Sequence, residues 1–248
     1  MALKNRLKKG ETVMGTLLSL PSPEVAEIYS HLAFDWLFLD LEHGAYGFLE
    51  AQRMIQAVGG RCSVLTRVPE LSELSIKKAL DIGSEGVIIP KVNTVSEVEH
   101  AVRYAKYQPI GDRGVGAARA HKYGIAFNEY MDTANEQTLV VIQIEHIDGV
   151  NQINEIVQVP GIDVMFIGPY DLSGSMGLVG QVDHPKVLEA IAKVEVAAKA
   201  KGLALGFFGM TPKSVKPAIK NGYQLITCGT DSGAIISQAK EDITKLKA

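Results

Sequence analysis

The sequence predicts an α/β protein built as a closed (β/α)8 TIM barrel, and three observations carry that expectation. Apolar, strand-like runs alternate with helical patterns eight times from end to end. The runs Val140–Glu145 and Val164–Gly168 are almost continuously apolar and rich in β-branched residues, as strands buried on both faces of a parallel sheet are. The length, 248 residues, suits one barrel better than two large domains. A doubly wound open sheet is the alternative, but the first strand–helix connection carries no GxGxxG, so a dinucleotide-binding fold has no support. Residues 1–248 therefore read as a single barrel domain without a linker.

The elements follow in order. Met14–Leu20 is the first strand, and Ser22 caps a helix from Glu24 to Leu32 with Pro23 in its first turn. Trp36–Glu42 is the second strand, followed by the loop His43–Gly47 and a helix over Phe48–Val58. Ser63–Val68 and the helix Ser72–Ile82 form the third unit; Gly86–Val92 and the helix Glu97–Lys106 form the fourth. The stretch from Pro109 to about Gln137 reads as irregular, and its Gly and Arg content suits a loop that folds over a site or meets another subunit. Leu139–Glu145 precedes the helix Val150–Val157. Val164–Gly168 precedes an insertion over Leu172–Asp183 and the helix Pro185–Lys201. Ala204–Phe208 leads to a helix capped by Thr211, and Gln224–Cys228 leads to a last helix over about 232–247.

Composition narrows the function classes. With 46% hydrophobic and 21% charged residues the chain is of ordinary globular type. A net charge of −3 leaves no footprint for nucleic acid or an anionic membrane. Cys62 and Cys228 have neither a CxxC nor metal-ligand spacing; each reads as a small buried hydrophobe in a reducing compartment. The basic start Met1–Lys9 and the short run Val13–Leu20 make a poor signal peptide, and no segment is long enough to span a membrane. A soluble, cytoplasmic protein is expected.

Chemistry in such a barrel gathers at the C-terminal ends of the strands. Those ends carry Asp40, Glu42 and His43, then Arg67, Lys91, Gln143, Glu145 and Asp171. A carboxylate at the end of a buried strand is costly unless it is paired or binds a metal. Glu145 and Asp171 together suggest a divalent-cation site, and oxygen ligands without clustered thiolates favour Mg2+ or Mn2+ over zinc. A 2-oxo acid would chelate such an ion, which would stabilise the enolate formed when the neighbouring C–C bond breaks. Arg67 would add a planar cationic fork, and His43, titrating near neutrality, would move the proton, oriented by an acid such as Asp40 or Asp81.

Each residue has a plainer explanation beside it. The two carboxylates would cap helices or pair with Lys or Arg; His43 would be an exposed loop residue; Arg67 would only pair with Glu70 or another rim acid. Lys91 would be a Schiff-base lysine of a metal-free aldolase. Asp35 reads as a solvated turn residue, and Gly114 and Gly116 as turn formers. The Gly-containing segments Phe207–Thr211 and Cys228–Gly233 are candidate phosphate loops, although no basic residue stands beside them in that reading.

The ordered set Asp40-Leu-Glu-His-Gly44, Thr66-Arg-Val-Pro69, Pro90-Lys-Val92, Arg113-Gly-Val-Gly116, Gln143-Ile-Glu145 and Gly168-Pro-Tyr-Asp-Leu-Ser173 resembles the HpcH/HpaI aldolase family over nearly the whole chain. The resemblance implies a TIM barrel of the phosphoenolpyruvate/pyruvate superfamily type. It implies a class II pyruvate aldolase that reversibly cleaves a 4-hydroxy-2-oxo acid to pyruvate and an aldehyde. It places the metal on Glu145 and Asp171, with Mg2+ or Mn2+ and Co2+ as a further candidate. Arg67 would stabilise the enolate, Asp81 would pair with His43, and Asp40 would lie near the aldehyde. Gln143 would hydrogen-bond pyruvate, and the backbone around Gly168, Pro169 and Tyr170 would hold its carboxylate. It further implies a homohexamer, a trimer of dimers with the last helix exchanged, and a subunit boundary near Arg113–Arg119. Tyr170 departs from the small residue usual at that position, as do Ser173–Gly180 and Ala117–Tyr130 from the expected pattern. These departures bear on the aldehyde partner. Enolate chemistry on oxaloacetate or a coenzyme A thioester, and a non-catalytic binding barrel, are the competing readings.

Overall fold

Eight short parallel strands pair in sequence order and close into a barrel in the computed structural model, which describes residues 2–247. Met1 and Ala248, the ends of the expected domain, lie outside the described residues. The strands are β1 (Val13–Leu18), β2 (Trp36–Asp40), β3 (Ser63–Arg67), β4 (Gly86–Ile89), β5 (Leu139–Ile144), β6 (Val164–Ile167), β7 (Ala204–Gly209) and β8 (Leu225–Thr230), with β1 hydrogen-bonded to both β2 and β8. The main outer helices are α2 (Pro23–Ser30), α3 (Phe48–Val58), α4 (Glu73–Asp81), α5 (Val95–Ala105), α10 (Pro185–Lys201) and α11 (Pro212–Lys220). Their starts follow the sequence signals. Ser22 Oγ accepts from Val25 N, Thr94 and Glu97 form a capping box, and Thr211 caps α11 ahead of Pro212.

Side-chain alternation along the strands positions the site. Trp36, Phe38, Leu65, Val141 and Phe166 point inward and form one cluster, whereas Leu37, Leu39 and Ile142 point outward to the helices. Trp36 fills the barrel centre because its neighbour on β1 is Gly15, where a Cβ would stand 2.5 Å from the indole. Continue the inward rows by two residues and they reach Asp40, Arg67, Gln143 and Gly168; Glu145 follows Gln143. The same parity that keeps the interior apolar therefore turns it polar at the C-terminal mouth.

The structure adds what the sequence did not show. Helix α1 (Leu3–Lys8) plugs the N-terminal mouth with Leu3 and Leu7, one helical turn apart. Six residues are too few to display a period. The stretch expected to be irregular contains a 3-10 segment, Arg119–Gly124, and α6 (Phe127–Gln137); α6 buries only Ala134 and has no side-chain cap. The expected Val150–Val157 helix is two short ones, α7 (Ile147–Asn151) and α8 (Ile153–Ile156), and the expected insertion opens as α9 (Pro169–Ser175). Asp35 is not a solvated turn residue: it accepts from Met14 N at 2.7 Å and from Arg6 at 2.6 Å, tying α1 to β1 and β2. The last helix, α12 (Asp231–Lys247), begins at a buried Asp231 and then leaves Ile235, Ile236, Ile243 and Leu246 exposed.

Candidate active site at the C-terminal mouth

Arg67, at the end of β3, is the centre of the mouth. Its Nε and one terminal nitrogen donate to the two oxygens of Asp40 at 2.8 and 2.7 Å, its other terminal nitrogen lies 3.2 Å from Glu42, and its guanidinium stacks over Phe38. Its partners are thus Asp40 and Glu42, not Glu70. Burial pushes the Asp40 carboxyl up, but the two bonds and charge of Arg67, with the N–H groups of His43 and Glu42, outweigh it and hold Asp40 below its usual range. Tyr46 braces this pair from below: its hydroxyl donates to Leu18 O and accepts from Asp40 N, both at 2.9 Å. Nothing in the sequence around Tyr46 signals that role.

Glu145 is buried beside the same mouth. Its Oε1 accepts from Lys91 N at 2.8 Å, and its Oε2 accepts from the side-chain amide of Gln143. Gly168 allows this close approach, since a Cβ there would meet Glu145 Oε2 at 2.8 Å. Burial, together with the charges of Glu42 and Asp171, pushes Glu145 up to about 7 against the opposing Lys91 N–H and Arg67. Asp171 sits exposed in the first turn of α9. Lys91 Nζ is 3.2 Å from Glu42, whose charge raises the lysine further above its ordinary value. An ion-paired amine raised in this way is the opposite of the desolvated, lowered lysine that Schiff-base chemistry uses.

The donor set fits a divalent cation. Asp40, Glu42, Glu145 and Asp171 face Arg67 and Lys91, an excess of two negative charges. Among the described residues no three His, Cys, Asp or Glu side chains converge as a metal cage, so Glu145 and Asp171 would leave positions open for other oxygens. Buried Gln143 Oε1 and Glu42 Oε2 have no hydrogen-bond partner, so the mouth still has polar atoms to offer. A cleft of about 1080 Å3 begins at His43, Arg67, Gln143 and Asp171 and runs outward between α10 and α11. Pro169 and Tyr170 line it, with Tyr170 exposed.

His43 is exposed, with Glu42 as its nearest acid at 3.8 Å. Asp81 does not pair with it in this chain: it ends α4, next to the start of β4 and so at the opposite end of the barrel, where Arg113 donates to it at 2.7 Å. Arg113 is itself fixed between the rings of Tyr107 and Tyr130. The Gly-rich loop therefore packs against the N-terminal end of the barrel, with Arg119 donating to Ile82 O, and does not fold over its own site. The segment Cys228–Gly233 is also no phosphate cradle, because the buried Asp231 carboxylate already takes the N–H groups of Ser19, Leu20 and Ser232.

Residues 14–238 match the family described as HpcH/HpaI aldolase/citrate lyase. This chain belongs to that family. It is 34% identical over 245 residues to a 2-dehydro-3,6-dideoxy-6-sulfogluconate aldolase of Pseudomonas putida, covering 97% of this chain and 95% of the relative. It is 32% identical to a hydroxypyruvate/pyruvate aldolase of Paraburkholderia phytofirmans, covering 99% and 97%. The crystal structure of a HpcH/HpaI aldolase/citrate lyase family protein from Burkholderia cenocepacia J2315 superposes with a TM-score of 0.95 at 32% identity, covering 99% of both chains. The chain is accordingly an enzyme of the class II aldolase type on the barrel described above.

Proposed function

We propose that this HpcH/HpaI enzyme requires a divalent metal, held by Glu145 and Asp171, to cleave a 4-hydroxy-2-oxo acid reversibly into pyruvate and an aldehyde. The observation that carries the proposal is Glu145: a carboxylate buried at the mouth, bonded only by Lys91 N–H and the Gln143 amide, with Glu42 and Asp171 as neighbouring acids. When bound, a divalent cation there supplies Lewis-acid stabilisation of the negative charge that develops on the substrate.

The chain's own residues do the rest. Arg67, immobilised by Asp40, presents a fixed cation to the oxygen that becomes the enolate when the C3–C4 electron pair moves onto the pyruvate half. Gln143, which gives one amide hydrogen to Glu145, offers the other to an oxygen of the pyruvate half. The backbone around Gly168, Pro169 and Tyr170, where α9 begins, would hold the substrate carboxylate. His43, exposed at the rim, takes the proton of the 4-hydroxyl as the C3–C4 bond breaks, a proton delivered to C3 of the enolate completes pyruvate, and the reverse direction runs the two transfers backwards. Tyr170 and the outer cleft bound the aldehyde side.

The same reading makes residues 2–247 one barrel unit within a homo-oligomer, a hexamer built from dimers that exchange α12. Among the described residues of α12 only Asp231 is buried, while four large apolar side chains stand exposed, and exposed Ile28 of α2 and Leu32 in the turn after it offer more surface for a second copy to cover. No helix among the described residues is long and apolar enough to cross a membrane. Free Cys62 and Cys228 accord with a cytoplasmic setting.

Pyruvate release from a panel of 4-hydroxy-2-oxo acids, coupled to lactate dehydrogenase with Mg2+, Mn2+, Co2+ or chelator, tests the reading. Pyruvate that appears with metal and stops with chelator is the expected result. Pyruvate formed equally well under chelator would remove the metal, and no pyruvate from any member would turn attention to oxaloacetate or thioester substrates.

A further inference from the structure

We propose that Lys91 is a built-in counter-ion that holds Glu42 away from Glu145 and Asp171, and so keeps the metal site weak and open. The inference rests on the metal reading above and deepens it.

Lys91 follows β4 at the mouth in a left-handed backbone conformation, φ +53°, which a lysine adopts only at an energetic cost. That conformation turns both ends of the residue onto the acids of the site. Its N–H donates to Glu145 Oε1 at 2.8 Å, and its ammonium, itself largely exposed, reaches back to Glu42 Oε1 at 3.2 Å. Its charge also acts on Glu145 and Asp171.

Glu42 is the third carboxylate that the site does not use. Its side chain is 8% exposed, its charge already bears on Glu145, and its Oε2 has no hydrogen bond. Arg67 holds it only through the one terminal nitrogen not committed to Asp40, 3.2 Å from Oε2. Remove the Lys91 ammonium and Glu42 Oε1 is released, so that the carboxylate, kept by Arg67 at one oxygen only, can turn the other toward a cation at Glu145 and Asp171. A third carboxylate and the loss of a nearby positive charge both tighten binding of a hard divalent ion. They also fill a position that a substrate oxygen would otherwise take. On this account Lys91 trades metal affinity for an open coordination shell.

Calorimetric titration of the full chain with Mn2+ reads this without reference to turnover. Lys91→Met is expected to bind Mn2+ about tenfold more tightly than the wild type. Lys91→Gly should do the same, since glycine accepts φ +53°, and it keeps the test valid if the methionine variant folds poorly. Lys91→Arg should stay near the wild type. Glu42→Gln placed on Lys91→Met should lose most of the gain. Unchanged or weaker binding in both Lys91 variants, or a gain that survives loss of Glu42 in full, would overturn the proposal. A wild-type heat that is absent, or that persists in Glu145→Gln, would overturn the metal reading itself and this inference with it.

Discussion

At the N-terminal mouth, Lys4 and Lys106 both donate to the carbonyl of Thr138, Lys4 pairs with Asp163 at 2.8 Å, and Lys106 also reaches Asn135 O at 2.8 Å. Helix α1 seals that end, and none of these buried groups lacks a partner. At the C-terminal mouth, acids outnumber cations, Gln143 Oε1 and Glu42 Oε2 are buried without hydrogen bonds, and a cleft stands open. Both mouths bury charge. One spends its hydrogen bonds on itself and is structural; the other holds capacity in reserve for something that arrives from outside.

The largest effects should come from removing that anionic reserve. Glu145→Gln and Asp171→Asn should each lower turnover about a thousandfold or more, while metal-free melting temperatures hold or rise because repulsion at the mouth is relieved. Turnover within tenfold of the wild type would break the contrast between the mouths. Arg67→Lys should cost about a hundredfold in kcat, since a point charge cannot keep both bonds to Asp40 and still face substrate; steady-state kinetics check it.

At the other end, Lys4→Met should lower stability by about 3 kcal/mol in denaturant unfolding, because Asp163 is left buried without its cation, and should leave kcat within about twofold. A larger loss of rate than of stability would show that the two mouths are not separate. The pH dependence sharpens the same contrast. Glu145 is raised from 4.5 to about 7, so its contribution to stability is full below 4.5 and is lost as pH rises through about 7. Lys106, lowered by burial and by Lys4 from 10.5 to about 7, contributes fully above 10.5, and that contribution is lost as pH falls through about 7. Melting curves of metal-free wild type against Glu145→Gln and Lys106→Met should show these opposite slopes in their difference. The smallest effect is expected from Tyr46→Phe, which strands Asp40 N–H and Leu18 O and should cost about 1 kcal/mol of stability with a few-fold loss of rate.

Most of the barrel was legible because its strands are buried on both faces: Leu139–Ile142 and Val164–Ile167 are apolar whichever way each side chain points. Parity then carried Asp40, Arg67 and Gln143 to one rim. What escaped notice depends on contacts between distant segments. Leu3 and Leu7 look like any short basic leader until the barrel gives them a hole to fill. α6 has Phe127, Tyr130, Met131 and Ala134 at helical spacing, but it lacks a side-chain cap and follows a Gly-rich run, so nothing marks where it starts. Asp81 stands among apolar helix residues that say nothing about which mouth it serves, and its partner Arg113 lies 32 residues away. Lys91 and Glu42 were visible at strand ends, but their pairing turns on a left-handed φ at a residue type that gives no hint of one.

The most direct test of the central claim, that the open mouth activates pyruvate through a metal held on Glu145, is exchange of the pyruvate methyl protons in D2O followed by proton NMR. With Mg2+ the wild type should exchange them, and both chelator and Glu145→Gln should stop it. Exchange that persists under chelator, or that survives loss of the Glu145 carboxylate, would contradict the account.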